Sequence, residues 1–226
     1  MTGSTIRLDT QQIPLPAARV ALGGAVGAVL LLALLHILSP ELDPSWRMVS
    51  EYANGNFGWV LSLMFAVWGA ASLALAYALR SQLQSRGGKI GLILLVVAGI
   101  GQVLAGIFDV NHPLHDLVGN VAIPSFALAT VLISKSLGRT QAWEASKQLL
   151  MRMASLTWIS VALLALSFVI LITTYMQSGG DLNAGTKITV LPDGVIAVVG
   201  WANRLLVVAY AAWVSAVSLR ALKVRR

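Results

Sequence analysis

The chain of 226 residues is too apolar to belong to the soluble proteins. Hydrophobic residues make up 57% of it and charged residues only 11%, against roughly 25% charged residues in an ordinary soluble domain. Lipid as the surrounding solvent allows an apolar outer surface and so removes the need for polar cover. The net charge of +7 is spread over short segments and forms no single basic face, so we do not expect nucleic acid as a partner.

Six apolar segments are each long enough to cross a bilayer as a helix of about 20 residues. A polar segment precedes them, residues 1–16, which we predict to be a cytoplasmic tail. The remainder, residues 17–226, is predicted to form one domain, an all-α integral membrane protein built as a six-transmembrane-helix bundle. The predicted spans are residues 17–38, 57–79, 88–108, 116–137, 153–176 and 195–219.

The basic residues orient this bundle. With the N-terminus inside, thirteen of the 16 lysines and arginines fall on the inner side, and the outer side receives Arg47, Lys187 and Arg204. The inner loops are short enough for the positive-inside rule to apply. We therefore predict that both termini are cytoplasmic (N-in/C-in). Most acidic residues and all three histidines, His36, His112 and His115, fall on the outer side, where we expect any chemical function.

Three polar segments are predicted to converge on the outer side, residues 50–55, 109–116 and 201–204. Arg204 lies about 13 Å inside the predicted sixth helix, at 1.5 Å per residue. A charge at the centre of a spanning helix costs about 2.5–3.5 kcal/mol, and such residues usually find partners. We expect Arg204 to form a buried ion pair with Asp109, Glu51 or Asp116. The alternative is that its head group extends to the outer interface.

Helical spacing predicts a polar pocket open to the outer side. Gln102 and Asp109 share one stripe of the third helix with Gly106, and Asp116 and Asn120 are one turn apart in the fourth. An arginine among apolar walls suits an anionic headgroup. The leading hypothesis is therefore a protein that binds or moves a lipid or small amphiphile. The predicted pocket residues are Ser50, Glu51, Tyr52, Gln102, Asp109, His115, Asp116, Asn120 and Arg204.

Two further functions stay open. His112, His115 and Asp109 have the residue types to hold zinc with a free position for water, which would make the protein a metal-dependent intramembrane hydrolase acting on a lipid-like substrate. No H-E-x-x-H motif supports this reading, and no other cofactor is expected. The third hypothesis is a non-catalytic membrane scaffold whose polar cluster only joins helices.

Small residues recur in two of the predicted helices. Gly23 and Gly27 form a G-x-x-x-G pattern in the first helix, and Gly99, Gly101 and Gly106 follow one another in the third. Small side chains let helices approach closely in lipid. We expect packing within the bundle, with homo-oligomerisation through these faces as the alternative.

The same polar segments carry a resemblance to a known family. The motifs are Leu38-Ser39-Pro40, Ser50-Glu51-Tyr52 with Gly55 and Gly58-Trp59, Phe108-Asp109, His115-Asp116, and the arginine at the start of the sixth helix, Arg204. With these, the chain resembles the bacterial and archaeal multi-pass proteins known as domain of unknown function nine hundred and ninety-eight, a family that is distantly DRAM/Sfk-like. The resemblance implies six helices, an outer polar cluster and a prokaryotic inner membrane, and it implies no reaction or substrate.

Overall fold

The computed structural model describes residues 13–181, 188 and 190–224, and it is helical throughout. Residues 1–12 of the predicted tail lie outside the described residues. Six helices are long and apolar enough to cross a membrane, which makes the chain a multi-pass membrane protein. They are α1 (Leu15–Leu38), α2 (Gly58–Leu79), α3 (Arg86–Ile107), α4 (His115–Leu137), α5 (Lys147–Gln177) and α6 (Val199–Val224), with short 3-10 helices at Val49–Asn54 and Gln141–Ser146.

The predicted spans of the first four helices agree with the structure to within two residues, and the last two differ. α5 begins at Lys147 rather than residue 153 because its first turns carry charged residues that a hydropathy criterion leaves out. At 1.5 Å per residue its 31 residues span about 46 Å, more than the ~30 Å hydrocarbon core. α6 begins at Val199 rather than residue 195, after a turn in which Gly194 has a φ of +86°.

The six helices form a closed ring in chain order. Each helix packs against its neighbours along the chain, and α6 closes the ring against α1. α6 is the most buried helix and α5 the least, and the α4–α5 seam is the loosest of the six. One end of the ring, called the polar end below, is formed by residues 39–57, 108–114, 178–181 and 190–198.

Small residues of α3 pack within the bundle, as expected. A Cβ built on Gly101 would lie 2.6 Å from the Cβ of Ala122 in α4, and one on Gly106 would lie 3.0 Å from the Ser62 carbonyl in α2. Only glycine permits these approaches. On α1, by contrast, Gly23 has nothing within 4 Å of its Cβ position. The predicted homo-oligomer stays a prediction.

The 39–57 loop is attached to the first turns of α6 by backbone contacts. The amide of Gly200 donates to the Ser45 carbonyl at 2.9 Å, and the amide of Val49 donates to Oδ1 of Asn203 at 2.9 Å. A Cβ on Gly200 would lie 2.7 Å from the Arg47 carbonyl oxygen and would also meet that of Pro44. Glycine at position 200 therefore lets the loop lie directly on the helix.

Candidate functional site at the polar end

Arg204 is buried at the junction of α1, α6 and the 39–57 loop. It lies five residues after Val199, about 8 Å into the helix rather than the predicted 13 Å, and its exposed fraction is 5%. The guanidinium donates to four neutral acceptors. These are Nε2 of His36 at 2.7 Å, the Arg47 carbonyl at 2.7 Å, the Gly200 carbonyl at 3.0 Å and the Tyr52 hydroxyl at 3.0 Å.

The predicted ion pair of Arg204 is wrong. In the described part of the chain, no carboxylate lies within ion-pairing distance of its guanidinium. Sequence spacing indicated which acidic residues lie at this end of the bundle, but it did not indicate where backbone carbonyl oxygens would lie. Two such oxygens accept hydrogen bonds from Arg204, which is buried under the loop. Its low exposure also contradicts the alternative in which the head group extends to the interface.

His36 holds a defined tautomer in this cluster. Its Nδ1 lies 2.7 Å from the Leu32 carbonyl, which can only accept a hydrogen bond, so Nδ1 carries the proton. Nε2 is then free to accept from Arg204. The ring also stacks on Trp201, with centroids 6.5 Å apart. The sequence placed His36 at this end, but the pairing of histidine with arginine needs the tertiary structure.

Two acidic side chains of the loop, Glu51 and Asp43, have partners of their own. Glu51 pairs with Arg47 at 2.8 Å and accepts from the Met48 amide at 2.9 Å, so it stabilises the 3-10 turn rather than Arg204. Hydrogen bonds from Ser45 lower the pKa of Asp43 below its ordinary value of 3.8, and the charges of Arg204 and Arg47 add to this effect.

A groove of about 860 Å³ lies between α4 and α5 at the polar end. Its polar wall carries two carboxylates, three amides, a serine and a histidine, and its apolar wall comes mainly from α5. Pro124 has no N–H to donate to the carbonyl of Asn120 one turn earlier, and both residues line the groove. The polar residues are Ser50, Glu51, Asn54, Asn111, His115, Asp116 and Asn120; those of α5 are Val161, Leu164, Ala165 and Phe168.

A second cavity, of about 130 Å³, lies deeper in the bundle. We call it the inner cavity. Its walls are mostly apolar, and its polar groups include the side-chain amides of Gln102 and Asn203. The single pocket predicted from the sequence is thus two spaces, because α4 separates Asn120 on the groove side from Gln102 inside. His115 and Gly119 line both spaces.

The residues predicted to bind zinc do not come together. Nδ1 of His115 lies 2.8 Å from the Phe108 carbonyl, while His112 stacks on the Phe108 ring with centroids 4.5 Å apart. Asp109 accepts from the Asn111 amide at 2.9 Å. Among the described residues, no three side chains of the metal-binding types form a group. The zinc site stays a prediction.

The predicted site residues therefore divide into three groups. Glu51, Asp116 and Asn120 line the groove, Gln102 lines the inner cavity, and Ser50 and His115 line both. Tyr52 and Arg204 form the buried junction, and Asp109 lines neither space. Sequence analysis missed the α5 wall, because apolar residues on a spanning helix carry no signal that separates a groove from lipid contact. It also missed Asn54 and Asn111, whose side chains are joined by a hydrogen bond of 3.1 Å.

Comparison with known proteins identifies the family. Residues 22–220 match the family described as Protein of unknown function (DUF998). The chain belongs to this family, which confirms the resemblance carried by the sequence motifs. No curated protein and no solved structure matches the chain. The more distant DRAM/Sfk likeness stays a prediction.

Proposed function

We propose that this member of the DUF998 family binds or moves a lipid or small amphiphile in the groove between α4 and α5. The observation that carries the proposal is the division of the groove into a polar and an apolar wall. Pro124 lies nine residues after the start of α4, so the groove extends about 14 Å along the helix. An amphiphile at a membrane surface has the same division between a polar head and an apolar chain.

The charges of the groove favour a head group that is uncharged or cationic. The lining includes Glu51 and Asp116 but no lysine or arginine. Arg204 led us to expect an anionic headgroup, but its guanidinium donates hydrogen bonds to His36 and to the Arg47 carbonyl. It lines neither the groove nor the inner cavity. Amide groups at Asn54, Asn111 and Asn120 both donate and accept hydrogen bonds. The groove therefore suits hydroxyl, amide or amine groups better than a phosphate or carboxylate.

Gly119 offers a direct way to fill the groove. Nothing lies within 4 Å of its Cβ position, although it lines the groove. Gly119→Phe should therefore place a ring in open space without displacing backbone. Gly23→Phe is the matched control, since Gly23 has equally open surroundings on the outer face of α1.

The test measures binding of two amphiphiles with the same acyl chain, monoolein and oleate, to purified protein by native mass spectrometry. We expect the wild type to bind monoolein more tightly than oleate. Gly119→Phe should weaken monoolein binding at least tenfold, and so should Ala165→Trp, which fills the groove and not the inner cavity. Gly23→Phe should leave the binding unchanged. Tighter binding of oleate, or equal binding by Gly119→Phe and wild type, would contradict the proposal.

The hydrolase and scaffold hypotheses give different results in related measurements. A hydrolase would convert monoolein to oleate and glycerol, and zinc analysis of the same sample would show stoichiometric metal that is lost in His115→Gln. A scaffold would retain neither amphiphile. No geometric observation favours the hydrolase over the binding protein, so it stays a prediction.

We further propose that the polar end faces outward from a prokaryotic inner membrane, with both termini in the cytoplasm. The basis is the excess of basic residues at the opposite end. The chain contains no cysteine, so single cysteines can be introduced without background. Asn56→Cys and Asp193→Cys, at exposed positions of the polar end, should react with an impermeant thiol reagent in intact cells. Gln141→Cys, exposed at the other end, should react only after lysis; the reverse pattern would overturn the orientation.

A further inference from the structure

The inner cavity is distinct from the groove in size and in chemistry. Its volume of about 130 Å³ is close to that of engineered protein cavities of about 150 Å³ that bind benzene. Three aromatic side chains line it, Phe65, Trp68 and Tyr210. The space is therefore large enough for a ring-sized group.

Polar groups of the inner cavity include hydrogen-bond donors without partners. Oε1 of Gln102 accepts from the Ser72 hydroxyl at 2.7 Å, and Oδ1 of Asn203 accepts from the Val49 amide. Neither amide NH₂ group has a hydrogen-bond partner among the described residues. The indole N–H of Trp68 is also unpartnered within the described chain, but it is enclosed by protein atoms and does not open onto the cavity. These three side chains are only 6%, 9% and 4% exposed, respectively.

Hydrogen-bond donors without partners in an apolar cavity favour a ligand that carries a hydrogen-bond acceptor. Buried polar groups without hydrogen bonds are costly and normally have a partner. The lining contains no aspartate, glutamate, lysine or arginine, so a charged ligand would lose its hydration without a counter-charge. A carbonyl oxygen accepts two hydrogen bonds and carries no charge.

We propose that the inner cavity is a binding site for a compact, uncharged ring bearing a carbonyl oxygen. The oxygen accepts from the amide groups of Gln102 and Asn203, and the ring lies among the aromatic walls. His115 and Gly119 line both spaces, so such a group has two sources. It is either a free small molecule or the head of an amphiphile whose chain lies in the groove. The site itself does not depend on the proposed function of the groove.

The test compares two molecules of the same shape, cyclohexanone and methylenecyclohexane, which differ in having C=O or C=CH₂. Binding to the full chain in detergent is measured as the rise in the thermal unfolding midpoint with ligand concentration. Ala105→Phe is the cavity-filling variant, because Ala105 lines the inner cavity and not the groove. It also corrects for any effect of either molecule on the detergent.

We expect cyclohexanone to bind the wild type about tenfold more tightly than methylenecyclohexane, and neither to bind Ala105→Phe. Gln102→Met keeps the side-chain volume and removes the amide, while Ser72 retains the Trp68 carbonyl as a partner at 3.3 Å. This variant should bind cyclohexanone less tightly than the wild type does and methylenecyclohexane as tightly, because one of the two amide donors is gone. Asn203→Asp provides a second variant should Gln102→Met fail to fold, because it keeps the Oδ1 that accepts from the Val49 amide and removes the amide donor. It should reduce the preference for cyclohexanone.

Three results would overturn the proposal. Equal binding of both molecules by the wild type would make the cavity simply apolar, and no binding of either would leave water as its occupant. Tighter binding of cyclohexanecarboxylate than of cyclohexanone would make it an anion site. The source is then decided with 4-dodecylcyclohexanone. If 4-dodecylcyclohexanone binds more tightly than cyclohexanone and Ala165→Trp, which fills the groove alone, abolishes this gain, the ring is the head of an amphiphile. If the dodecyl chain adds no affinity, the ligand is a free small molecule.

Discussion

The junction around Arg204 and the groove beside α5 lie at the same end of the bundle, and they differ in how far their polar groups are satisfied. The guanidinium of Arg204 has four acceptors within 3.0 Å and almost no exposure. The groove and the inner cavity instead have open space beside their polar groups, and the amide NH₂ groups of Gln102 and Asn203 have no hydrogen-bond partner in the described part of the chain. The most conspicuous charge in the sequence is thus a structural tie, and the amides and histidine are the better candidates for ligand contacts.

Among the variants that test this comparison, we expect those at Arg204 to change the free energy of unfolding most. Arg204→Ala leaves the acceptors of α1, α6 and the loop without a donor, and we expect the free energy of unfolding to fall by about 3–5 kcal/mol. Arg204→Lys should recover only part of this, because an ammonium group cannot reach four separated acceptors as the planar guanidinium does. Thermal or denaturant unfolding in detergent measures both.

Arg19→Ala is the control for that experiment, since Arg19 is exposed on α1 and should contribute little. The folded fraction of Arg204→Ala should keep the preference for monoolein over oleate if the junction is structural only. A loss of stability below about 1 kcal/mol would show that the hydrogen bonds of Arg204 contribute little. A reversed lipid preference would place Arg204 in the binding site.

A smaller effect is expected where the loop lies on α6. Gly200→Ala would bring a methyl group against the carbonyl oxygens of Pro44 and Arg47, and backbone cannot move aside as a flexible side chain can. We expect a loss of about 1–3 kcal/mol in the free energy of unfolding. Gly23→Ala, made in open space, should be neutral or slightly stabilising. Equal stability of the two variants would mean that the loop is not held against the helix.

The smallest effect is expected at Asp43, an exposed residue at the edge of the junction. Its pKa is lower in the folded chain than the ordinary 3.8, so its contribution to stability is present above pH 3.8 and is lost as the pH falls through the folded value. Asp43→Asn should therefore cost about 0.5 kcal/mol or less at neutral pH. The difference from wild type should vanish in acid; a difference that grows in acid would contradict the assigned sign.

Sequence alone determined most of the fold, because the length of an apolar run is a local property. The first four spans agree with the helices to within two residues, and the polar residues converge at one end as the alternation of spans requires. The errors, at the start of α5 and at both ends of α6, where residue 219 was predicted in place of Val224, come from charged and irregular segments next to the lipid boundary. The hydropathy of a segment does not indicate at which residue the backbone hydrogen bonds of a helix begin.

Only the tertiary structure decided the roles of the polar residues. Arg204 found carbonyl oxygens, a histidine and a tyrosine because a loop lies over it, and a sequence does not show where backbone carbonyls will point. One predicted pocket became two because the thickness of α4 separates Asn120 from Gln102. The groove lies at the α4–α5 seam, the loosest of the ring, and how closely two helices pack is set by both of them together rather than by the residues of either helix alone.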